Sequence, residues 1–243
     1  MLSSLIQTEF FKIRKTNILS LVFVSPILAT MVGFSITQIE ASPNDWVTPL
    51  IFMTFVHALI FLPLLIGVFS SFVCRYEHLH GGWKQLLSLP VRREQVYLAK
   101  FIVVISMIAL NQLLFAAGWI GIGLVKGFSD PFPFEVLSKV LMGGWIATLP
   151  LAAVMLWVSM AWASFAAPLA LNVIFTLPNI LIANSEKFAP YYPWIQPFLT
   201  MVPPGEESWG ALFVSFESIV FAIMGGFIIF FMGGLIYIRR KTV

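Results

Sequence analysis

The chain has 243 residues, of which 59% are hydrophobic and only 10% charged, with a formal net charge of +3. That balance excludes a soluble globular protein and gives no basic surface of the kind that binds nucleic acid. A single cysteine, Cys74, excludes an internal disulfide.

A span of roughly 20 apolar residues crosses about 30 Å of hydrocarbon, and the chain order offers six. Before the first, Leu2 to Lys15 sets Leu2, Leu5, Ile6, Phe10 and Ile13 on one helical face, which predicts a helix lying along the membrane interface; an extension of the first span is the alternative. The first span runs Ile18 to Ile39. A polar turn, Glu40 to Asp45, returns the chain into a second span, Trp46 to Cys74, longer than a bilayer requires and expected to tilt, protrude or kink at Pro63. Next comes a polar island, Cys74 to Lys100. Within it Trp83, Leu86, Leu87 and Pro90 recur at i, i+3, i+4 and i+7, so a short amphipathic helix is expected there until Pro90 ends it. Gly81 and Gly82 permit a sharp turn before it, and Arg75, Glu77, Lys84, Arg92, Arg93 and Glu94 occupy its other faces.

The third span, Val96 to Val125, carries Asn111 and Gln112 near its middle and is followed by a loop to Ser138 that Pro131 and Pro133 keep from being one helix. Spans four (Lys139 to Ala161) and five (Phe165 to Ala183) are joined by Trp162, Ala163 and Ser164. The segment Asn184 to Ala211, with Tyr192, Trp194, Phe198 and many prolines, is too broken for a span and is expected to fold back into the outer interface. Span six, Phe213 to Ile238, ends at Arg239, Arg240 and Lys241. The fold class is thus all-α, a single polytopic transmembrane domain over 1–243. With both termini inside, only Lys126, Lys139 and Lys187 of the 14 Lys and Arg residues fall outside, as the positive-inside bias demands. No cleavable signal peptide is evident, because Lys12, Arg14 and Lys15 precede a full-length span.

No catalytic constellation stands out. His78 and His80 beside Cys74 and Glu77 are read as solvated loop residues rather than a metal site. Glu206 and Glu207 lack a partner His or Arg and are read as solvated acids. No phosphate-binding loop is present, so any ATP and its Mg must be bound by another polypeptide. Polar groups inside spans are costly and mark candidate transport paths: His57, Asn111, Gln112 and Glu217, with Asn172 and Asn179 in span five. Tyr192, Trp194 and Phe198 join them from the outer segment. Hydrogen bonding between helices is the competing reading for the amides.

The spacing in the polar island resembles the first cytoplasmic loop of ABC-2 type transporter permeases. The family's glutamate, small turn, basic residue, Leu-Leu, Pro, Arg and Ala-Lys fall here on Glu77, Gly81 and Gly82, Lys84, Leu86 and Leu87, Pro90, Arg93, and Ala99 and Lys100. The Trp83-Lys84 pair is most similar to permeases of lantibiotic and peptide-antibiotic immunity. Gly82 and Arg92 stand where the family has Ser or Thr, the second loss removing an N-cap for the third span. The resemblance implies a non-catalytic permease subunit in a bacterial cytoplasmic membrane, working with two copies of an ATP-binding subunit and a second, identical or sister permease. It implies a re-entrant segment between the last two spans, and a coupling role for Glu77, Gly81, Gly82, Trp83, Lys84, Leu86, Leu87, Pro90, Arg93 and Lys100. An ion-coupled secondary carrier is the alternative; it would need ionisable groups at mid-membrane, where His57 stands alone.

Overall fold

The computed structural model describes residues 2–14, 16–36, 44–79, 81–203 and 215–241, without the side chain of Leu87. The residues Glu40 to Pro43, His80, Glu206 and Glu207, the stretch of the outer segment from Pro204 onward and the expected start of span six at Phe213 lie outside it. Among the described residues the chain is helical and has no strand. The helices are α1 (Leu2–Arg14), α2 (Ile18–Ile36), α3 (Val47–His78), α4 (Gly82–Ser88), α5 (Arg93–Lys126), α6 (Phe134–Ala161), α7 (Ala166–Ile182), α8 (Gln196–Met201) and α9 (Phe216–Arg240).

Five of these, α2, α3, α5, α6 and α9, are long and apolar enough to cross a membrane. The segment read as the fifth span, Phe165 to Ala183, instead forms the shorter helix α7. Pro178 interrupts its hydrogen-bond ladder, leaving Ala166–Thr176 and a last turn at Asn179–Ile182. At 1.5 Å per residue, its length falls short of the roughly 30 Å of a hydrocarbon core. Helix α1 is separate from α2, and it turns Glu9 and Ile13 inward while Phe10 and Phe11 are exposed. Helix α5 begins at Arg93 with no side-chain cap, as the arginine at position 92 leads one to expect.

The irregularity expected at Pro63 takes the form of a π-helical stretch, Phe55–Phe61, one turn earlier. Proline at 63 has no N–H to offer the carbonyl of Leu59. That carbonyl accepts from Asn179 Nδ2 at 2.9 Å. Asn172 Nδ2 donates to the carbonyls of Pro63 and Leu64 at 3.0 and 3.2 Å, and Asn172 Oδ1 accepts from Trp194 Nε1 at 2.8 Å. A Cβ on Gly67 would lie 2.3 Å from Asn172 Nδ2, so this close approach requires glycine. Two amides therefore fasten α7 to the break in α3.

Beyond α7 the chain turns back into the bundle. A 3-10 turn at Ala189–Tyr191 leads to α8, and every residue from 193 to 203 is buried. Trp194 and Phe198 are thus packed inside rather than displayed on the surface, Phe198 against Phe55 with ring centres 5.2 Å apart. At the same end Trp46 donates to the Asp130 carbonyl at 3.0 Å and meets Trp119, Phe128 and Phe132 edge-on. This knot closes the non-helical loop that Pro131 and Pro133 impose.

Candidate functional site

The opposite end of the bundle holds both described chain ends, α4 and most of the basic residues. Lys100, about two turns into α5, is 0% exposed, and a buried ammonium is tolerated only when paired and hydrogen-bonded. Its Nζ lies 3.0 Å from Glu9 Oε2 and 2.8 Å from Glu77 Oε2, and donates to the Val73 carbonyl at 2.7 Å. Lys12 Nζ completes the pattern at 2.8 Å from Glu9 Oε1 and 2.6 Å from Glu77 Oε1. Two carboxylates and two ammonium groups alternate in a closed, electrically neutral ring. Its members come from α1, the end of α3 and the start of α5, so those three helices cannot separate without unpairing a buried charge.

Glu77 is followed by the turn into α4, where Gly81 adopts φ 73°, a left-handed conformation that favours glycine. Trp83, expected on a greasy edge for a partner, is 5% exposed and belongs to the chain's own interior. Its indole N–H donates to His78 Nδ1 at 3.2 Å, and His78 Nε2 bonds the Ser159 carbonyl at 2.8 Å. Indole is only a donor and a carbonyl only an acceptor, so these two bonds fix His78 as the neutral tautomer protonated on Nε2. Both ring nitrogens are therefore in use. Leu86 is half-buried, whereas Lys84, Gln85, Ser88, Leu89 and Pro90 are exposed, Leu89 to 54%.

The C-terminal tail locks this arrangement. Lys241 Nζ sits 4.7 Å from the Trp83 ring centre and donates to the Met160 carbonyl at 2.8 Å. Arg93 Nη1 donates to the carbonyls of Arg239 and Lys241 at 3.0 and 2.8 Å, capping the end of α9 where the helix dipole is negative. Glu94 pairs with Arg239 at 2.7 Å on the surface. Of the residues expected to couple to a partner, Glu77, Trp83, Arg93 and Lys100 are thus bound within the chain, while Lys84 and Pro90 face outward.

The path candidates are dispersed. His57 is fully buried, bonded through Nδ1 to Ser25 Oγ at 2.7 Å and stacked on Phe115, and Asn111 Nδ2 donates to the Val22 carbonyl at 2.6 Å. Both tie α2 to its neighbours. Gln112 Nε2 contacts Met201 Sδ at 3.4 Å, linking α5 to α8. Glu217 is exposed in the first turn of α9. Tyr192 donates to the Phe175 carbonyl at 2.7 Å, and burial pushes its phenol up to about 12, so it remains a donor at neutral pH. Sequence reasoning missed Glu9 and assigned Lys12 only a topological role. The available signal was that Glu9 is the sole acidic residue before position 40, on a helix otherwise suited to a membrane surface.

Comparison with known proteins agrees with this architecture. A family model described as ABC-2 family transporter protein matches residues 5–179, from α1 through the charge ring and α4 into α7. No curated protein matches the chain. With more than half of the chain matched, including every helix that contributes to the charge ring, the protein belongs to the ABC-2 transporter family and is a non-catalytic membrane subunit of an ABC transporter.

Proposed function

We propose that this permease crosses the bacterial cytoplasmic membrane six times, with α7 as the short fifth crossing, both termini in the cytoplasm and the segment around α8 re-entrant from outside. It works with a second permease, identical or sister, and two ATP-binding subunits that hold ATP and Mg. Helix α4 is the coupling element. The observation that carries this reading is that α4 presents Lys84, Gln85, Ser88, Leu89 and Pro90 outward while Trp83 fastens its inner side. A stiff, anchored helix with an exposed Leu and Lys suits a groove on a partner, and the buried ring of Glu9, Lys12, Glu77 and Lys100 passes its displacement to α3, α5 and α1 together.

The cargo is a peptide antibiotic or another hydrophobic compound, expelled to protect the producing or exposed cell. Support for this comes from the similarity of the Trp83-Lys84 loop to immunity permeases, while His57, the group an ion-coupled carrier would use, is walled in by Ser25 and Phe115. The test is to capture the protein from its native membrane and assay for a co-purifying ATPase, with wild type beside Leu89→Asp, and to measure growth with a lantibiotic present. Wild type retains the ATPase and protects, and Leu89→Asp loses both. Retention and protection in Leu89→Asp equal to wild type would remove α4 from the interface.

A further inference from the structure

A cavity of about 220 Å3 opens at the same end, between the end of α3, the end of α6 and the start of α7, with Ser71, Arg75, His78, Ser159, Trp162 and Ser164 in its wall. It is distinct from the charge ring. No carboxylate lines it, and among the described residues no carboxylate lies within ion-pair distance of Arg75. The guanidinium is held instead by two rings, 5.6 Å from the centre of Phe72 and 5.2 Å from that of Phe165. Those rings meet edge-on at 4.8 Å, one from α3 and one from the residue before α7. Aromatic rings offer a guanidinium no hydrogen-bond acceptor oxygen, so its N–H donors stay available to an oxyanion.

The hydroxyls point to the same chemistry. Ser71 and Ser159 are 3% and 2% exposed, and their Oγ atoms are 3.4 Å apart. Two hydroxyls share at most one hydrogen bond, so at least one O–H is left to donate into the cavity. Ser164 Oγ accepts from the Ala167 N–H at 3.4 Å, which leaves its own proton free as well. His78 adds no charge, because its Nδ1 accepts the Trp83 indole N–H and so carries no proton. One unpaired cation with several hydroxyl donors and no negative group suits an anion rich in acceptor oxygens, as phosphate is.

The rim separates a lipid phosphate from a soluble one. Leu79 and Trp162 stand exposed beside the opening, and tryptophan favours headgroup depth. Basic pockets between transmembrane helices are where anionic headgroups lodge.

We propose that this cavity binds the phosphate of an anionic membrane phospholipid, with Arg75 as its charged anchor and Ser71, Ser159 and Ser164 as hydrogen-bond donors. The bound headgroup bridges α3 to α7 and so steadies the shortest of the proposed membrane-crossing helices. This site depends on the chain lying in a membrane and is independent of what docks on α4.

The test is thermal unfolding of the delipidated protein in neutral detergent, titrated with phosphatidylglycerol, phosphatidylcholine or inorganic phosphate. Phosphatidylglycerol raises the midpoint of wild type in a saturable way, and phosphatidylcholine and inorganic phosphate at the same concentration do not. Arg75→Gln weakens the phosphatidylglycerol response roughly tenfold or more, and Ser164→Ala, at an exposed position, by about threefold. If Arg75→Gln does not fold, the Ser164→Ala shift and an intermediate response from Arg75→Lys carry the test. Equal titrations for wild type and the variants would overturn the site, and a full response to inorganic phosphate would overturn its assignment to a lipid.

Discussion

Replacing Lys100 by Met tests the charge ring at its most buried member. The change removes an ammonium that holds Glu9 at 3.0 Å, Glu77 at 2.8 Å and the Val73 carbonyl at 2.7 Å. Lys12 alone then faces two carboxylates, and the ring passes from neutral to a net charge of −1. Removing one partner of a buried pair typically costs about 3–5 kcal/mol, because the other charge stays behind unpaired. Glu77→Gln alone leaves the opposite excess and carries a cost of similar size. The double variant retains the neutral Glu9–Lys12 pair, so its cost falls below the sum of the two single changes, by about 2–3 kcal/mol at the upper end of measured couplings. The assay is reversible denaturation in detergent micelles, comparing wild type, both single variants and the double. Additive costs would refute the ring as an interacting unit, and a Lys100→Met variant as stable as wild type would refute its burial.

Four further outcomes follow from the packing. Trp83→Ala loses a buried indole and its bond to His78, costing about 3–5 kcal/mol, whereas Leu89→Asp, at an exposed position, leaves the denaturation midpoint unchanged. Gly67→Ala drives a Cβ into Asn172 and destabilises by about 1–3 kcal/mol; Asn172→Ala in the same chain relieves part of that cost, as paired denaturation curves will register. Tyr192→Phe loses one hydrogen bond, worth about 0.5–1.5 kcal/mol. Because the folded phenol is pushed up to about 12 from 10.0, the advantage of wild type is complete below pH 10 and fades as the pH rises through 12, which a pH series of midpoints checks. On a Cys74→Ala background, an impermeant thiol reagent added to intact cells labels Lys187→Cys and not Ser88→Cys; the reverse pattern would invert the proposed orientation.

The helical class, the order of the spans and the position of α4 were legible because apolar runs and the Gly81 and Pro90 boundaries act locally. What the sequence could not display was the direction in which side chains pair. Trp83 lies on the apolar side of α4 as the spacing predicts, but only the fold reveals that His78 and Lys241 already claim it. Glu77 and Lys100 match a family pattern, while their partners Glu9 and Lys12 sit on a helix whose periodicity advertises a membrane surface. Length alone did not reveal that at α7 an apolar run of span length is divided by the break at Pro178. The amides at 172 and 179 were open to two readings from sequence alone; in the structure they donate to the carbonyls of Leu59, Pro63 and Leu64, a pairing invisible until α3 and α7 are side by side.

The central claim, that α4 is where an ATP-binding subunit grips this permease, is tested most directly by cross-linking. With Cys74→Ala as background, Ser88→Cys is treated with a short bifunctional thiol reagent in inverted membrane vesicles containing the full transporter, and the product is identified by mass spectrometry. The account predicts a cross-link between position 88 and an ATP-binding subunit whose yield changes when ATP is added, and none from Lys187→Cys. A subunit that cross-links to position 187, or to neither position while co-purifying with the permease, would contradict it.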